Sequence, residues 1–69
     1  MKSYAVICWG DRSNSWETYK VYAKSHKEAM QQIIEPDEEA DIEKMRSGSE
    51  DVEVWMDNSL ATPIVVIQQ

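Results

Sequence analysis

The chain has one cysteine, one histidine, two glycines, two prolines and no phenylalanine among 69 residues. With Cys8 as the single thiol, no intramolecular disulfide can form, and the framework that staples small secreted domains is excluded. The sequence also lacks a phosphate-cradling loop and a metal-ligand spacing. No apolar run approaches the ~20 residues of a membrane span. The opening MKSYAVICWG holds one lysine and a short apolar run, less than a secretory signal needs. These absences lead to the expectation of a reduced, cytoplasmic protein. A chain this short makes one domain, 1–69, and buries only about 60% of the surface its unfolded form exposes.

Acids outnumber bases 13 to 7, a net charge of -6, and they are unevenly placed. Residues 1–34 hold three acids and five bases, whereas residues 35–69 hold ten acids and two bases. Such a chain repels phosphates and anionic lipid, so direct nucleic-acid or membrane binding is disfavoured and a basic protein surface is the favoured partner. The competing explanation is that small proteins keep net charge for solubility.

Both alternation sets of Ser3 to Trp9 are apolar, the mark of a strand covered on both faces or lying in mid-sheet. Residues 10–15, GDRSNS, are turn chemistry. Trp16 to Lys24 then reads as a second strand, with Tyr19, Val21 and Ala23 on one face and Trp16, Thr18, Lys20, Tyr22 and Lys24 on the other. Ser25 and Glu28 have capping-box spacing and predict a helix from His26 to about Glu35, with Ala29, Met30, Ile33 and Ile34 as its buried stripe and Pro36 as its stop. Asp37 to Arg46 reads as a second helix, acids early and bases late, or else as a solvated acidic loop. Glu50 to Met56 alternates as a one-sided strand, with Val52, Val54 and Met56 inward and Asp51, Glu53 and Trp55 outward. After an Asp57-Asn58-Ser59 turn, Pro63 opens a last strand, Ile64 to Gln68. The fold class is α+β, β-β-α-(α)-β-β, a four-stranded sheet with one or two helices on one face. Its expected order is 2-1-4-3, the alternative being 2-1-3-4.

Catalytic constellations are hard to assemble from these residues. Cys8 is mid-strand between Ile7 and Trp9, and His26 opens a helix, so packing and solvation explain both more simply than a thiol–imidazole pair. Asp37, Glu39, Asp41 and Glu43 alternate like a calcium loop, yet the sixth and twelfth positions are Ile42 and Gly48 instead of Gly and Glu. No catalytic residue, metal or cofactor is expected. The acidic stretch and the tryptophans and tyrosines remain as contact candidates. The competing reading makes Trp9, Trp16 and Tyr22 a second small core behind the sheet, and for Trp9 it is the favoured one.

The stretch Tyr19 to Met30, YKVYAKSHKEAM, resembles a strand ending in V-x-A-x-S that runs into a helix opening x-x-E-A, a pattern of small phage and plasmid proteins. With the hairpin, capped helix, acidic linker and terminal strands, the layout resembles small anti-CRISPR proteins of phages and mobile elements. That resemblance implies a non-enzymatic inhibitor in the host cytoplasm, binding a basic surface of a CRISPR effector by acidic mimicry of nucleic acid. These proteins share no contact motif, so no family residue carries over. The expected partner-binding residues are Glu38, Glu39, Asp41, Glu43, Glu50, Asp51 and Glu53 for charge, with Trp55 as an aromatic anchor. The alternatives are an acidic structural or regulatory interaction module and an oligomeric small-ligand-binding protein. An exposed strand edge allows a monomer or a homodimer.

Overall fold

Two apolar runs separated by turn residues pair as a hairpin in the computed structural model, which describes residues 1–34, 39–45 and 49–69. β1 (Lys2–Gly10) and β2 (Ser15–Ala23) run antiparallel without a break, from Lys2 opposite Ala23 to Gly10 opposite Ser15. Asn14 closes the four-residue loop at φ 53°, a left-handed conformation that asparagine tolerates. A Cβ at Gly10 would meet only side-chain ends, the Glu17 carboxylate and Ser13 Oγ, so a larger residue there would require these two side chains to swing aside.

The helix α1 (His26–Ile33) starts where the capping residues place it. Ser25 is extended, and its Oγ accepts from the Glu28 N–H at 3.2 Å. Ala29 and Met30 are buried, while Ile33 and Ile34 pack half-buried against the core. The helix ends two residues earlier than expected, with Ile34 extended and its N–H donating to the Met30 carbonyl. Pro36, its expected stop, lies outside the described residues.

The sheet has five strands, not four. β4 (Val52–Asp57) and β5 (Thr62–Gln68) form a second hairpin, and β5 pairs with β1. The four anticipated strands stand in the expected order. The fifth, β3 (Ile42–Met45), lies outside β4, giving the antiparallel order β2-β1-β5-β4-β3. So Ile42 to Met45 is a strand, not part of a second helix, and among the described residues of this segment the helical ones are Glu39–Asp41, a single 3-10 turn. A helix this short has little to hold it, whereas pairing satisfies the backbone groups that the edge of β4 would otherwise leave open. Residues 37, 38 and 46 of the anticipated helix lie outside the described residues.

The second correction concerns which face of β4 is inside. The helix lies across β2, β1 and β5 and covers one face of the sheet. On that face stand Tyr4, Val6 and Cys8 of β1, Ile64 and Val66 of β5, and Trp55 of β4, with Ala23, Ala29 and Met30 completing the core. Trp55 is only 4% exposed, so it points inward, not outward, and Val52, Val54 and Met56 fall on the opposite face. Burying an indole removes far more apolar area from water than burying a valine. The acids that share its face are each provided for. Asp57, 3% exposed, accepts from the Ser59 N–H (3.0 Å), the Ser59 hydroxyl (2.8 Å) and the Leu60 N–H (3.4 Å) of the following turn. Glu53 is held by Lys44 of β3.

Candidate protein-binding surfaces

The thiol and the imidazole sit toward opposite ends of β1. The His26 ring packs edge-on against Tyr4, centroids 4.8 Å apart, while Cys8 lies four residues further along the strand, roughly 13 Å at strand rise. Burial pushes the Cys8 thiol above its ordinary range, and the negative charge of Glu17, its cross-strand neighbour, pushes it further. Both effects oppose a thiolate, so the site lacks what a cysteine nucleophile requires. Glu17 is itself tied down. It accepts from the Ser13 hydroxyl at 2.7 Å and from the Tyr19 hydroxyl, and these bonds, Tyr19's first, lower its carboxyl. The Tyr19 phenol is raised in turn, chiefly by the same bond. Cys8, Gly10, Arg12, Tyr19, Ile33 and Leu60 line a notch of about 380 Å³ here, at the loop end of the sheet.

His26 works as a tie between helix and sheet. Its Nε2–H donates to the Asp51 carbonyl at 2.8 Å, and its Nδ1 lies 3.4 Å from one Glu53 oxygen. The other Glu53 oxygen is 2.6 Å from Lys44 Nζ. The start of α1, the start of β4 and the edge strand β3 are thus joined by one polar chain. Beside it a second notch, about 250 Å³, opens between Lys27, Met30, Ile42, Lys44 and Trp55. Among the described residues no three His, Cys, Asp or Glu side chains gather as a metal-binding group.

The anticipated contact residues separate into three groups. Asp41, Glu43, Glu50 and Asp51 are exposed, and no salt bridge among the described residues uses them. They lie along one side of the sheet. Asp41 precedes β3, Glu43 is on β3, and Glu50 and Asp51 lead into β4. Glu53 and Trp55 form the second group, withdrawn from the surface, one into the polar chain and the other into the core. Glu39 belongs to the third, its backbone in the 3-10 turn; Glu38 lies outside the described residues. The opposite side of the sheet carries Lys2, Lys20 and Lys24, all exposed, so charge is separated across the strand order.

Sequence reasoning anticipated only a corner of the sheet face that α1 leaves alone, the group Trp9, Trp16 and Tyr22 behind the sheet, and missed its extent across β5 and β4. By register this face holds Ala5, Ile7 and Trp9 of β1, Pro63, Val65 and Ile67 of β5, and Val52, Val54 and Met56 of β4. Trp16 and Tyr22 of β2 extend it, 53% and 58% exposed, and Met45 of β3 closes it, 42% exposed. Trp9 and Trp16 meet edge-to-face at 5.4 Å. The signal for this face was the doubly apolar alternation of the first and last strands, which calls for cover on both sides.

No helix among the described residues is long and apolar enough to cross a membrane. The chain matches no protein-family model, no curated protein and no solved structure.

Proposed function

We propose that this protein is a non-enzymatic inhibitor that binds a basic surface of a host protein complex, its acidic side standing in for nucleic-acid phosphates. The observation that carries the reading is the set of four exposed carboxylates on the β3–β4 side, Asp41, Glu43, Glu50 and Asp51, none neutralised by an ion pair among the described residues. A surface of one sign steers encounter with the opposite sign and rejects its own. What supports the class of target is the resemblance of the hairpin, capped helix and terminal strands to small anti-CRISPR proteins. That target is an RNA-guided effector whose nucleic-acid channel is rich in lysine and arginine. Glu53 and Trp55 act indirectly, holding β3 and β4 in position.

Competition tests this. A guide-loaded effector is mixed with labelled target DNA, with and without the protein. The expected result is loss of target binding at saturating protein, with no binding of the protein to the DNA alone. Undiminished target binding across effectors of several types, or direct binding to the DNA, would defeat the reading.

A further inference from the structure

The uncovered face of the sheet needs an occupant, and we infer that it is a second copy of this chain, the two sheets packing face to face as a homodimer. This inference does not rest on the proposed target, and of the acidic side it uses Glu43 alone.

Composition makes the first argument. The three middle strands, β1, β5 and β4, present no charged side chain on this face, and Ile7, Val65 and Val54 lie side by side at its centre by strand register. All three are half-buried, and α1 packs on the opposite face. A contiguous apolar surface of this kind marks an interaction site. An aligned pair of sheets about 10 Å apart would turn these side chains into the inner layer of a sandwich.

Area makes the second. Five strands at ~4.8 Å spacing span ~24 Å, and strands of about seven residues at ~3.3 Å rise are ~23 Å long. The face is therefore roughly 550 Å² in flat projection, which agrees with principal extents of 28 × 23 × 20 Å. Two such faces give about 1,100 Å², just above the ~1,000 Å² that a specific interface requires, and corrugation by side chains adds to it.

Charge makes the third, and it also selects the symmetry. On this face the charges within strands are confined to the two edges, Lys20 on β2 and Glu43 on β3. A two-fold axis lying between the sheets and roughly along β5 sets the β2 edge of each copy over the β3 edge of the other. Thr18 of one copy then stands level with Met45 of the other, flanked by Trp16 and Tyr22, while Lys20 lies on the Glu43 rim four residues further along the strands, roughly 13 Å away. A two-fold axis running across the strands would instead set like edges together. The first arrangement is closed and self-complementary, as a two-fold interface must be. It leaves Asp41, Glu50 and Asp51 at the ends of the strands, outside the contact.

Sedimentation equilibrium from about 1 to 100 µM decides the matter, a range that spans micromolar affinity. The wild-type chain is expected at twice its 8.0 kDa mass in the upper part of this range. Val65→Lys, at the centre of the face, is expected to be monomeric while keeping its far-ultraviolet circular dichroism. If that variant fails to fold, Val65→Thr retains β-branching and is expected to weaken the dimer at least tenfold. A monomer at every concentration would overturn the inference. So would a dimer indifferent to the Val65 variants, or an open series of larger assemblies.

Discussion

Removing the Trp55 side chain tests which face of β4 is inside. An indole buries roughly 200 Å², worth about 5 kcal/mol at ~25 cal/mol per Å², and that is an upper figure because the unfolded chain also hides part of it. Alanine retains its methyl group. The notch formed by Lys27, Met30, Ile42 and Lys44 adjoins the ring, so water can enter part of the vacated space and reduce the cavity cost. The expected loss for Trp55→Ala is therefore about 3–4 kcal/mol, within the range for truncating a large buried aromatic. At 0.05–0.15 kcal/mol per residue the whole domain has roughly 3.5–10 kcal/mol, so the variant loses between about a third and all of its stability and its Tm falls by about 12–32 °C. Trp55→Phe should recover more than half of the loss. Urea unfolding followed by far-ultraviolet circular dichroism, at one fixed protein concentration, reads all three chains without relying on the deleted fluorophore. A loss under about 1 kcal/mol for Trp55→Ala would mean that the ring is at the surface, and the register of β4 described above would be wrong.

Two further outcomes follow from local geometry. Ala61 closes the β4–β5 turn at φ 55°, so Ala61→Gly should raise stability by about 0.5–1 kcal/mol, relief of left-handed strain outweighing the added chain entropy; thermal melting checks it, and an unchanged or lower Tm would count against the turn. Because the folded state raises the Cys8 thiol, the unfolded chain loses that proton first as pH rises past about 8.5; the stabilising contribution is complete below that pH and is lost above it, so between pH 8 and 10 the wild type should lose stability faster than Cys8→Ala, as parallel unfolding curves would reveal.

The parts of the fold legible in the sequence are those decided locally. The hairpin follows from two apolar runs flanking GDRSNS, the helix start from Ser25 and Glu28, and the inner place of β1 and β5 from their doubly apolar faces. What was not legible depends on distant partners. In β4 the sets Val52–Val54–Met56 and Glu53–Trp55–Asp57 compete, and counting charges favours the first as inside. The balance shifts because His26 and Lys44 receive Glu53, while Ser59 and Leu60 satisfy Asp57. Ile42 to Met45 is too short to show a period, and its pairing is set by the open edge of β4. The acidic side was legible as composition. Its division into exposed carboxylates and the paired Glu53 was not, because that requires the polar chain through His26.

The most direct measurement for the proposed function is the association rate of the protein with a guide-loaded effector at about 50 and 300 mM salt, a range over which the screening length falls from about 14 to 6 Å. It is taken for the wild type and for the triple variant Asp41→Lys, Glu50→Lys, Asp51→Lys, whose exposed side chains lie outside both the core and the inferred dimer contact. The wild-type rate is expected to fall at least tenfold over this range, and the variant to bind slowly at low salt with little further dependence. A wild-type rate indifferent to salt and equal to that of the triple variant would contradict the claim that these carboxylates take the place of phosphates.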